Sequence, residues 1–282
     1  MNLKMKRLTL ALAAAGIVGI ATPAGAGSIF LTGHDDDFHA TLAGSVAART
    51  AFAAALTMVR DGSALPVLSF DAGSELTSLL TSLGIAFVNV NPTAGNLAGP
   101  AGAALFDHSL YSAFVVASVT TCGGCDNPVG TGLILATQEA AIVDFFNAGG
   151  GILGLAGATD PNAYAYVPQS ATNAGGNPPS TGYFQTSFGA SLGITAVNGD
   201  TTHNFFNEPG TGGLSSAYGV TERLRDGVGE GTPESIALFR GTIACTPGTK
   251  DCGFVPEPGT LTLFGLALAG MGAIRRRFTR ST

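Results

Sequence analysis

Residues 113–119 read Ala-Phe-Val-Val-Ala-Ser-Val, a nearly unbroken apolar run that lacks the in-and-out alternation of a half-exposed strand. Such a run suits a strand buried on both faces, and therefore a parallel sheet covered by helices. The neighbouring sequence agrees. Apolar, β-branched runs at 28–32, 66–70, 86–90 and 151–156 alternate with helical patterns at 44–60, 74–83 and 137–148. Ser74 is placed to cap the second of these helices. In the third, Thr137 is placed to cap, Glu139 sits in the first turn, Ile142, Phe145 and Phe146 share a face, and Gly149-Gly150-Gly151 ends the pattern. Parallel neighbours need crossover connections, which are usually helices, so an α/β domain is expected. Regularity fails from 159 to about 199, where Asn, Gly, Pro and Ser predict long loops. It returns at 203–206 and 235–243 as late strands.

The charge distribution divides the chain. Of 282 residues only 11% are charged, where a soluble domain carries about 25%. Nineteen acids and thirteen bases give a net charge of −6, and no basic cluster interleaved with aromatics is present, which excludes a nucleic-acid partner. Seven of the bases lie at the two ends. Between residues 27 and 254, six bases face eighteen acids, so the body carries −12.

Each end has a recognisable pattern. Lys4, Lys6 and Arg7 precede an uncharged apolar run at 8–21, then Pro23-Ala24-Gly25-Ala26, the pattern of a secretory signal peptide with signal peptidase cutting after Ala26. At the other end Val255-Pro256-Glu257-Pro258-Gly259 leads into an uncharged run at 260–274 and then Arg275, Arg276 and Arg277. Fifteen helical residues cover about 22 Å, short for a hydrocarbon core of about 30 Å but able to span a thinned bilayer. The arginine cluster stays cytoplasmic, leaving the body outside.

This tail resembles the PEP-CTERM sorting signal of Gram-negative bacteria, with Pro256, Glu257 and Pro258 as its motif. The resemblance implies an exosortase-type processing enzyme as partner, transient anchoring in the inner membrane, and delivery to the cell surface or into extracellular polysaccharide. Residues 111–158, with Asn147-Ala-Gly-Gly-Gly151 and Gly154-Leu155-Ala156-Gly157-Ala158, resemble class I glutamine amidotransferase-like domains of the trehalose-utilisation type. Catalytic members present a nucleophilic Cys at an elbow where this chain has Ala156, so amidotransfer is not implied. The expected fold class is α/β, a three-layer sandwich with a mostly parallel sheet of flavodoxin-like or glutamine amidotransferase-like kind. The expected boundaries are 1–26 for the signal peptide, 27–254 for the domain and 255–282 for the sorting signal.

Four cysteines fall in local pairs, and an exported chain meets oxidising conditions. Disulfides Cys122–Cys125 and Cys245–Cys252 are expected; a four-thiolate zinc site or a redox-active Cys-x-x-Cys are the alternatives. The densest polar constellation is Gly33-His34-Asp35-Asp36-Asp37-Phe38-His39, directly after the first strand, where doubly wound sheets bind ligands. His34, Asp35, Asp37 and His39 are candidate ligands for a divalent metal ion, against a solvated acidic turn that caps the next helix. Weaker candidates are Asp71, which a turn explains as well; Asp107-His108, read as the start of a short helix; and Thr202-His203-Asn204 with Glu208, which could line the same edge from the irregular half but read more simply as a surface strand and turn. No Gly-x-Ser-x-Gly and no His-Glu-x-x-His occurs, and Gly149–Gly151 lacks the Lys and Ser/Thr of a phosphate loop. The expectation is an exported, non-catalytic, surface- or matrix-associated protein; the alternative is a metal-dependent hydrolase or sugar-modifying enzyme built on the His34–His39 cluster.

Overall fold

The computed structural model describes residues 26–121, 126–176, 178–199, 201–225, 231–244 and 253–256. The cysteine pairs, the signal sequence and most of the tail lie outside them. The parallel half of the sheet holds β1 (Gly27–Thr32), β2 (Val67–Phe70), β3 (Phe87–Val90), β4 (Ala113–Val116) and β5 (Gly151–Gly154) in the order β3-β2-β4-β5-β1. Val67 pairs with Phe87 and Ala113, Ala113 with Gly151, and Ile29 with Ile152, so all five strands start at one edge and end at the other.

The reason these segments become strands is visible in their packing. Ile29, Leu31, Leu68, Phe70, Phe114, Val116 and Ile152 point into one core, while Phe30, Val67, Val115 and Leu153 point into a second. Two apolar faces leave no polar side for solvent, which is why the runs do not alternate. The second core is closed by α2 (Val46–Arg60) and α3 (Glu75–Ser82), through Ala48, Phe52, Leu56, Val59, Leu76 and Leu79. The first is closed by α6 (Glu139–Asn147), through Ile142, Phe145 and Phe146, and by Tyr164 and Tyr166 of the irregular stretch. Helix, sheet and helix make the three layers. Among the described residues no helix is long and apolar enough to cross a membrane.

Beyond β1 the sheet turns antiparallel. β10 (Pro233–Ile243) pairs with β1, β9 (Gly219–Leu224) with β10, and β7 (Tyr183–Gln185) with β9. β11 (Phe254–Pro256) pairs with the far end of β10, so a strand of the sheet crosses the expected boundary at 254. The sequence predicts neither β7 nor β9. The expected strand at 203–206 shortens to β8 (Phe205–Phe206), paired with β6 (Asn173–Gly175).

Four short helices also lie outside the sequence reading: α1 (Asp36–Thr41), α4 (Gly99–Ala103), α5 (Thr131–Ala136) and α7 (Ser187–Ser191). Three local expectations are corrected. Thr137 does not cap α6, because its hydroxyl donates back to the Ile134 carbonyl at the end of α5. Asp107 does not open a helix; its Oδ1 accepts from the Ser109 amide, forming a turn. Ser74 precedes α3 without a side-chain cap bond, and Asp71 does that work instead, accepting from the Gly73 and Thr77 amides at 2.8 and 3.2 Å.

Candidate metal centre

At the carboxyl edge of β1 the chain is held by backbone bonds on three sides. Gly33 donates to the Glu234 carbonyl at the start of β10, Asp35 donates to Thr201 at 2.9 Å, and His203 donates back to Gly33 at 2.7 Å. Ala156, just past β5, donates to the His34 carbonyl at 3.0 Å. Residues 201–203, drawn from the irregular stretch, are thereby laid against 33–35. Only glycine fits at 33, since a Cβ there would overlap the Asn204 carbonyl oxygen.

Asp35 then sits at the N-cap of α1, and its carbonyl accepts from the His39 amide. That i,i+4 spacing stacks the two side chains on one face. His39 Nε2 stands 3.3 Å from Asp35 Oδ1, and His203 Nε2 stands 3.0 Å from Asp35 Oδ2. The imidazole ring centroids are 6.3 Å apart. Asp35 is 1% exposed, and neither of its oxygens has a hydrogen bond; each instead faces one of the two Nε2 atoms at ion-pair distance. A buried carboxylate with neither oxygen bonded is costly unless something else satisfies it. One donor atom from each of the three residues lies within 4.8 Å of the other two. Ligands about 2.1 Å from a shared ion stand about 3.0–3.4 Å from one another; each imidazole approaches Asp35 to that distance, His39 at one oxygen and His203 at the other. His39 is 14% and His203 30% exposed, so the open side of the group faces solvent.

His34 turns away from this group. Its Nε2 lies 3.0 Å from both Glu222 Oε2 and Glu234 Oε2, and its Nδ1 meets the hydroxyls of Thr201 and Thr202 at 2.9 and 3.1 Å. All three charged side chains are buried. Burial opposes the imidazolium, but Glu234 and Glu222 outweigh it and hold the His34 pKa well above the ordinary value. Burial pushes Glu222 up, with His34 opposing; Glu234 stays below the usual carboxylate range because its contacts to His34 and Ser235 overcome burial. The trio behaves as an internal ion pair with one extra acid. It also fastens the segment that carries His203, through Thr201 and Thr202.

Asp37 is spoken for as well. It accepts from the Ser118 amide at 3.0 Å and the Ser118 hydroxyl at 2.6 Å, tying α1 to the end of β4, while burial pushes its pKa up to about 7. Asp36 is buried between the two groups, and burial raises its pKa well above the usual range. Of the four residues expected to act together, the structure brings only Asp35 and His39 to one place. His203 joins them from the weaker set, and Glu208 instead binds Arg223 at 2.9 Å. The i,i+4 spacing of Asp35 and His39 was the available sequence signal; His203 was placed only as a residue that could line the same edge, with Glu208 as its companion.

Comparison with known proteins adds information at one end of the chain. Residues 254–277 match the PEP-CTERM protein-sorting motif. No curated protein and no solved structure matches the chain, so the amidotransferase-like resemblance of residues 111–158 gains no support there. The motif marks the chain as exported, directed to the cell surface and processed by an exosortase-type enzyme.

Proposed function

We propose that this exosortase-sorted protein delivers a divalent metal centre to the cell surface or extracellular matrix, with Asp35, His39 and His203 as the protein ligands. The observation that carries the reading is the Asp35 carboxylate, fully buried, without a hydrogen bond, and faced by two imidazole Nε2 atoms. Two histidines and one carboxylate with a solvent-facing side form the donor set of open zinc sites and of mononuclear non-haem iron sites. In the leading reading the role is non-catalytic. The bound ion and the acidic body make cation-mediated contact with extracellular polysaccharide, and Ala156 supplies no nucleophile at the expected elbow.

The solvent-facing side of the centre favours a second reading, metal-dependent hydrolysis. An ion there would acidify a bound water and polarise a carbonyl or phosphoryl oxygen, while Asp35, His39 and His203 hold its position. The test is metal titration of the full chain in detergent after chelation. Zn²⁺ or Fe²⁺ should bind tightly, and both His203→Ala and Asp35→Asn should abolish binding. Binding unaffected by either substitution overturns the assignment. Hydrolysis of model esters, phosphoesters or glycosides that is lost in His203→Ala would select the second reading over the first.

A further inference from the structure

Both membrane-seeking ends join the folded domain at the same edge of the sheet. Gly27, just past the expected signal cleavage site, pairs with Gly241, and Gly241 pairs on its other side with Pro256, the first residue of the sorting motif. Two interstrand spacings put Gly27 and Pro256 about 10 Å apart. Only residues 22–26 separate the N-terminal apolar run from β1, and only 257–259 separate β11 from the C-terminal one. Three residues reach about 10 Å at full extension. β11 is also seated on the sheet: Phe254 packs against the first core, and its ring lies where a side chain at Gly241 would stand.

This edge is where the parallel strands begin. The candidate metal centre is at the other end of β1, a strand of six residues that spans about 20 Å. The two edges differ in chemistry. The metal edge carries Asp35, Asp36, Asp37, Asp71, Glu75, Glu222 and Glu234. The chain-end edge carries Arg60, bonded to Ser112 and Leu65, and Arg240, whose amide donates to Ser28 and whose guanidinium pairs with Asp61. Leu65, Leu110, Phe239 and Val255 are exposed there. Apolar side chains and arginines suit a lipid headgroup layer; the carboxylates of the metal edge are buried, and the apolar side chains exposed there, Leu42, Val46 and Val129, lie away from both tethers.

We propose that, while its tail is anchored, the domain rests on the bilayer through the edge holding Gly27, Leu65, Leu110 and Val255, and turns the Asp35–His39–His203 edge away from the membrane. The inference rests on residues 260–274 acting as an anchor and is independent of whether metal binds. Before signal removal a short tether at each end restricts tumbling; afterwards the 257–259 tether alone keeps this edge next to the membrane.

The chain has no tryptophan, so single reporters can be introduced at exposed positions. Full-length variants Leu65→Trp and Leu110→Trp report the chain-end edge; Leu42→Trp and Val129→Trp report the opposite one. In vesicles of mixed phosphatidylcholine and phosphatidylglycerol containing bromine-labelled acyl chains, the first pair should be quenched at least twofold more strongly than the second. Equal or reversed quenching in protein that floats with the vesicles overturns the orientation alone. Protein that does not float with them overturns the anchor, and the orientation with it.

Discussion

His203 Nε2 lies 3.0 Å from Asp35 Oδ2, across a backbone pairing that joins the end of β1 to a segment from the irregular part of the chain. Each residue is positioned independently of the other's side chain, Asp35 as the N-cap of α1 and His203 through its amide bond to Gly33. Removing one imidazole should therefore leave the backbone intact and remove only a ligand. His203→Ala should weaken Zn²⁺ binding by at least ~100-fold, more than the loss of an outer-sphere partner costs, with little change in stability of the metal-free protein. His108→Ala, remote from the centre, should bind as the parent does. Isothermal titration of the three proteins decides this, and equal affinity in His203→Ala would remove His203 from the site.

Metal should stabilise the fold by mass action. At a free concentration about 100 times Kd the gain is about 2.7 kcal/mol, and for a domain of this size each kcal/mol raises Tm by about 2–4 °C. A scan with Zn²⁺ should thus melt roughly 5–10 °C above a scan with chelator. An unchanged Tm in the parent at saturating metal would contradict a site formed only by the folded chain.

The His34–Glu222–Glu234 trio predicts a large cost when one charge is removed alone. Glu234→Gln leaves the imidazolium buried with a weakened partner, and such changes cost about 3–5 kcal/mol. Urea unfolding should show that loss in chelator, where the metal centre contributes nothing. A loss below about 1 kcal/mol would mean the trio is solvated.

The same trio sets a pH dependence for metal-free protein. Glu222, pushed up to about 7, stabilises fully below its unfolded value near 4.5, and that contribution is lost as pH rises towards 7. His34, raised well above 6.5, contributes below 6.5 and loses its contribution as pH climbs through its folded value. Glu234, lowered, acts in the opposite sense and only as pH falls below about 4.5. Asp37, also pushed up to about 7, and Asp36, raised as well, act in the same sense as Glu222, so between pH 5 and 8 stability should fall with rising pH, by at most ~1.4 kcal/mol per unit for each linked proton. Denaturant midpoints across that range check the sign, and Glu222→Gln should flatten the slope.

How much of this was legible in the sequence depended on what each segment buries. β1, β2, β4 and β5 place apolar residues on both faces, and α2 carries a clear apolar stripe, so each reads correctly in isolation. β9 reads Gly-Val-Thr-Glu-Arg-Leu, and its Glu222 and Arg223 can be buried because His34, Ser235 and the Val197 amide partner the first, and Glu208 and the Gly231 carbonyl the second. No local pattern reveals a strand whose polar residues are satisfied at a distance. The site divides in the same way. Asp35 and His39 belong to one helical turn and were visible as a cluster, but the cluster hid the fact that His34 and Asp37 point elsewhere. His203 is brought in by tertiary backbone pairing, which no window of sequence encodes.

Gly33 links fold and site most directly. The backbone of 203–204 passes so close that a methyl group at 33 would collide with the Asn204 carbonyl, and backbone cannot yield as a flexible side chain does. Gly33→Ala should therefore push the 201–204 segment outward, at a cost of about 1–3 kcal/mol for overpacking. The displacement should also carry His203 away from Asp35, lowering Zn²⁺ affinity although no ligand has been mutated. Gly253→Ala, where a Cβ meets nothing within 4 Å, serves as the control and should be near neutral in both measurements. Stability loss in Gly33→Ala with unchanged affinity would show that His203 does not depend on this contact for its place.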